Sequence, residues 1–279
     1  MRKFITLFAS YLLIAIIIYQ LNNLTITTLN YFPIDSEVSF SATTTIKQNQ
    51  SNDQKSIICW QIQSTYEGES YLDHDVGLLF QNGQLVSIQS KWSQAKHELF
   101  QETNVTALPL SIYQAISYHY LEIHQPSGQI MSDNQMSTAQ LYIVNQNKSD
   151  SFETPKTKQE KVLAEKMIAT TNRRLKQSWA ELIFYFSINE DSYDQIPLID
   201  LAQFQVTPLP GLTESDSKRV IAQLWEGLYK NYLLRMTEQQ LSGGFMPLIM
   251  LDKSLDHLLV LYTDHQGNHE RLMQKLMIN

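Results

Sequence analysis

The chain has 279 residues, 43% of them hydrophobic, and 21 basic against 28 acidic side chains give a net charge of −7. An acidic chain with no Lys/Arg block is poorly suited to nucleic acid. The one cysteine, Cys59, excludes an intramolecular disulfide and every cysteine-based zinc site.

Arg2 and Lys3 precede an uncharged apolar run over 4–21, 18 residues long. A bilayer core needs about 17–25 such residues, whereas the apolar region of a cleaved signal peptide holds about 7–15. The run predicts an uncleaved transmembrane signal anchor with a cytoplasmic stub at 1–3. Basic residues stay on the cytoplasmic side, and none follows the span until Lys47. The rest of the chain is therefore expected outside the cell membrane. Without Arg2 and Lys3 it carries 19 basic and 28 acidic residues, or −9. The lone cysteine and this topology suggest a bacterial envelope protein.

A stalk is expected at 22–36. Alternating apolar and polar residues then predict strands over 37–47, 57–66, 76–81 and 84–92. Asn82-Gly83 between the last two marks a hairpin with a type I′ turn. The stretch 93–103 reads as a short helix. Ser111 and Gln114 match a capping box, so a second short helix is expected through Ala115, Ile116 and His119, ending before Pro126. Residues 139–146 read as a strand.

The polar stretch 147–161 is the expected linker between an N-terminal α+β subdomain (37–146) and a C-terminal one (162–279). Past it, Ile168, Leu175, Trp179, Leu182 and Phe186 repeat at helical spacing. Thr213 opens another helix, with Val220, Ile221, Leu224, Trp225, Leu228 and Tyr232 on one face. Three apolar segments after Gly244 predict a β-meander, with turns at 252–256 and 266–268. The layout is α+β, with helices covering antiparallel sheet.

Candidate sites are few. "SYHYLEIHQP" over 117–126 gathers His119, Glu122 and His124. On a helix His119 and Glu122 would share a face; on a strand Glu122 and His124 would, with His119 opposite. Glu122 and His124 are the pair to weigh for acid–base work, against a polar solvent-facing junction. His265 and His269 flank a turn. A Gly267-Asn268 turn would set His265 opposite Glu270, and a three-residue loop opposite His269, half of a metal site; turns also collect such residues for backbone reasons. Asp73, His74 and Asp75 read as a solvated loop, and Cys59 as a small buried hydrophobe. Trp179, Phe186, Trp225 and Tyr229 on the two long helices are candidates for a ligand or peptide groove, or for core. No phosphate loop, G-x-G-x-x-G, H-E-x-x-H or nucleophile elbow occurs, so nucleotide, metal and cofactor use are not expected.

The sequence therefore reads as a single-pass, membrane-anchored protein with an outer non-catalytic α+β region. It would bind another envelope or membrane protein or regulate an envelope process. The rival readings are an envelope hydrolase using Glu122, His124 and other histidines, and a domain binding a small ligand or a wall polymer.

Overall fold

The computed structural model describes residues 40–50, 56–68, 70–94, 96–145, 151–234 and 244–277. The expected stub, span and stalk lie outside them. Among the described residues no helix is long and apolar enough to cross a membrane.

The first half is a sandwich of two antiparallel sheets. Strands β1 (Phe40–Gln50), β2 (Ser56–Tyr66) and β5 (Glu98–Thr106) form a three-stranded sheet in the order β1-β2-β5. Strands β3 (Leu72–Gln81), β4 (Gln84–Ser93), β6 (Ser111–His124), β7 (Ile130–Ile143) and β8 (Ser151–Phe152) form a five-stranded sheet in the order β4-β3-β6-β7-β8. Between them Ile46, Ile58, Trp60 and Ile62 of one sheet meet Leu79, Tyr113, Ala115, Leu141 and Ile143 of the other. The predicted turn is present: Asn82 and Gly83 have φ of 50° and 81°, the positive pair that type I′ requires. At Gly77 the two sheets approach closely. A Cβ there would lie 2.7 Å from Trp60 Cζ2 and overlap Ile62 Cδ1, so the close approach demands glycine.

Both short helices expected in this half are strands. Residues 98–106 pair with β2 along its length. Residues 111–124 form the central strand β6, paired with β3 and β7. Both of its faces are buried along most of its length, so its apolar and polar residues do not alternate. Asp73, His74 and Asp75 are likewise within β3, not on a solvated loop.

Helix α1 (Lys158–Tyr185) starts at Thr157, whose side chain accepts from Glu160 N while Glu160 caps the Thr157 backbone in return. Its Ala164 and Met167 pack on Ile112 and Tyr142, on the outer face of the five-stranded sheet. Leu175 lies against Gly83. Ile168, expected in the buried stripe, stands at its exposed edge. The stretch expected as a linker thus contains β8, paired to β7, and the α1 cap.

The meander has four strands: β9 (Tyr193–Pro197), β10 (Leu248–Asp252), β11 (His257–Thr263) and β12 (His269–Lys275), in the order β12-β11-β10-β9. Helix α2 (Glu214–Leu228), capped by Thr213, continues into a π-turn at Tyr229–Leu233. The described residues are mixed α+β with antiparallel sheets and few helices, in one compact unit.

Candidate functional site

Strand geometry divides the histidines of β6. His119 points between the two sheets, while Glu122 and His124 point to the opposite face. The structure brings Glu122 and His124 together. His124 Nε2 lies 2.6 Å from Glu122 Oε1, and the Tyr71 ring stacks on the imidazole at 3.6 Å and 10°. The Tyr71 backbone N–H donates to Glu122 O, fixing the ring over the pair. Glu122 is buried and His124 exposed. A carboxylate and an imidazole at this distance can exchange a proton with a solvent-side group.

The inner face carries a constellation that the sequence did not reveal. His119 Nδ1 is 3.0 Å from Asp75 Oδ1, and Nε2 is 2.7 Å from Ser137 Oγ. Acid, imidazole and hydroxyl follow the order of a serine-hydrolase triad. The group is closed off from solvent. Thr44 Oγ1 donates to Ser117 Oγ at 2.6 Å and lies equally close to Ser137 Oγ. Ser64 Oγ donates to both Asp75 oxygens, at 2.7 and 2.9 Å, and lies 2.8 Å from His119 Nδ1. His119 and Asp75 are 0% and 1% exposed. The network is a fully paired interior bond between the sheets, reaching from β1 and β2 across to β3, β6 and β7.

Asp73 lies two residues from Asp75, on the same inner face. Burial pushes its carboxyl up to about 6; a hydrogen bond from Ser70 Oγ at 2.8 Å pulls it down, and the nearby Asp75 charge pushes it up. Burial also lowers the His74 imidazole, against the pull of Asp75. Cys59 is buried, and burial, with Glu102, raises its thiol. It is an inert packing group.

His265 and His269 do not pair as expected. The register sets His269 opposite Thr263. Asp264 O accepts from Gly267 N, with Gly267 at φ 84°, so His265 is in the turn and faces neither Glu270 nor His269. Among the described residues no group of three or more His, Cys, Asp or Glu is arranged to hold a metal.

The four helical aromatics have separate surroundings. Trp179 is buried and donates to Met246 O at 2.7 Å. Trp225 is buried, stacks on Tyr118 and donates to Met136 Sδ. Tyr229 meets His74 edge-on. Phe186 packs under Arg271 and against Tyr185. A shallow cavity of about 910 Å³ opens beside that last pair, lined by Glu181, Ile183, Tyr185, Ile188, Glu190 and His269, among others. A smaller one of about 320 Å³ shares Glu181 and His269 and adds Arg174, Gln177 and Phe245. The His269 ring meets Tyr185 edge-on at 4.8 Å. Burial pattern alone marks Tyr185 as a surface aromatic, and helical spacing could have separated it from the core stripe.

No family model matches this chain, and no curated protein matches it. Among solved structures it is similar to the solution structure of a protein from Arabidopsis thaliana, at 10% identity over 44% of this chain and 90% of that one. The TM-score is 0.25, a level at which no common fold is inferred.

Proposed function

We propose that this is a single-pass, membrane-anchored protein of the bacterial envelope whose outer α+β domain is a non-catalytic module that binds another envelope protein. The observation that carries the reading is the groove at the C-terminal end of α1, where Tyr185, 63% exposed, stands beside Ile188 and His269. Aromatic side chains at the edge of a cavity are the anchors that protein interfaces use. The non-catalytic part is supported by the inner network, in which His119 and Asp75 are buried away from any substrate.

A photo-crosslinking residue in place of Ile188 tests this in cells. A discrete adduct with one envelope protein, lost when Tyr185 is changed to Ser, is the expected result. Uniform labelling of many proteins, unchanged by Tyr185→Ser, would contradict it.

The envelope-hydrolase reading is favoured by one observation, the 2.6 Å contact between buried Glu122 and exposed His124. Glu122→Gln separates the two readings. The binding module keeps both its fold and its adduct, whereas a hydrolase loses function without losing stability. Binding of a wall polymer by the same groove would appear as sedimentation with purified cell wall.

A further inference from the structure

The exposed side of α1 is cationic in an acidic chain. The helix has six Lys/Arg (158, 161, 166, 173, 174 and 176) against three Glu, a net of +3, so the remainder of the chain carries −10. All six cations are exposed. Among the described residues none of them forms an ion pair, although cations on α2 and the following turn do. At 100° per residue, Lys158, Lys161, Lys166, Arg173 and Lys176 fall within an arc of about 140° and extend along about 27 Å of axis. Glu165 is the one acid in that arc.

Apolar groups share the arc. Val162 is exposed, and Phe184, on the same side, is 84% exposed at its C-terminal end. A soluble polyanion would use the cations and leave Phe184 in water. A lipid surface uses both, with cations among the headgroups and an aromatic ring at the acyl boundary. The tether is short as well. Residues 22–39 separate the expected span from β1, and eighteen residues reach at most about 60 Å.

We infer that the solvent face of α1 docks on an anionic lipid surface, with the Lys/Arg ridge over the headgroups and Phe184 at the acyl boundary. This rests on the membrane-anchored reading for its tether, though not for its chemistry. Docking in this way lays the domain on the bilayer and turns the neighbouring Tyr185 groove along the membrane, toward partners held in it.

The test uses the full chain with Ala180→Cys carrying an environment-sensitive fluorophore; Cys59 is buried. The protein is mixed with vesicles of phosphatidylcholine alone or equimolar with phosphatidylglycerol. The expected result is a blue-shifted emission with the anionic vesicles only, reversed by high salt. Each cation near such a surface contributes about fivefold, so Lys166→Gln with Arg173→Gln and Lys176→Gln should weaken docking on the order of 100-fold. Phe184→Ser should reduce the shift with the ridge intact. These side chains are exposed, and an unchanged circular dichroism spectrum checks that the variants fold.

Flotation separates the anchor from the face. Protein that floats with mixed vesicles but not with phosphatidylcholine keeps the face and loses the anchor. Equal emission with both vesicles, on protein that floats with both, overturns the docking. So does an equal shift with soluble polyphosphate in the absence of lipid, insensitive to Phe184→Ser.

Discussion

Asp73 is a carboxylate held where a neutral group would fit better, and Asp73→Asn should stabilise the protein at pH 7. Its carboxyl is raised to about 6, chiefly by burial, with Asp75 adding to the shift and Ser70 opposing it. The unfolded value is about 3.9. A raised acid binds more protons folded than unfolded, so its penalty is small below about pH 4 and fully present above about pH 6. Two units correspond to about 3 kcal/mol at most. Replacing the charge with an amide gives up part of the Ser70 hydrogen bond, worth about 1 kcal/mol, leaving a net gain of about 2 kcal/mol. Urea unfolding of both proteins in mild detergent, from pH 4 to pH 7, measures this. Other groups titrate in the same range, so the informative quantity is the difference between variant and wild type. It should grow by about 2 kcal/mol from pH 4 to pH 7. Parallel profiles would refute the account of Asp73.

His119→Ala should cost about 3–5 kcal/mol, because Asp75 is left buried without its imidazole partner; adding Asp75→Asn should recover part of the loss, read by denaturant midpoint. Gly77→Ala should cost about 1–3 kcal/mol by forcing Ile62 and Trp60 apart, seen as a lower melting temperature. Thr157→Ala removes the α1 cap and should cost about 0.5–2 kcal/mol, with faster hydrogen exchange confined to the first turn of α1. Glu122→Gln should change the unfolding free energy by about 1 kcal/mol or less, because the amide keeps a hydrogen bond to His124.

How far the fold was legible depended on how each strand is covered. In β1, Ala42, Thr44 and Ile46 alternate with outward polar residues, and Asn82-Gly83 specifies its turn without tertiary help. Strand β6 was illegible because it is central. Ile112 packs on α1 while Tyr113 packs between the sheets, so alternation disappears and Ser111 to Gln114 imitates a helix start. Pairing to β2 across 98–106 overrode the local pattern in β5. Strand β9 is only five residues long and is defined by its pairing to β10.

The sites followed the same logic. Glu122 and His124 are two apart on one strand, so their contact is local and was readable once a strand was assumed. The His119 network was not. Thr44 and Ser137 are 93 positions apart in sequence, and no spacing rule connects them. Its trace in the sequence is the polar residue at every second position, Asp73 and Asp75 on one strand, Ser117 and His119 on another. The α1 aromatics divided by exposure rather than by type: Trp179 is core and Tyr185 is surface.

The proposed function requires a domain that stands outside the membrane on an uncleaved anchor. Ser127 is exposed at the tip between β6 and β7, and Cys59 is buried, so Ser127→Cys offers one reactive thiol to a membrane-impermeant reagent. Labelling in intact cells, on full-length protein that stays in the membrane fraction after alkaline washing, is the predicted result. A thiol that reacts only after lysis, or a labelled protein released by the wash, would contradict it.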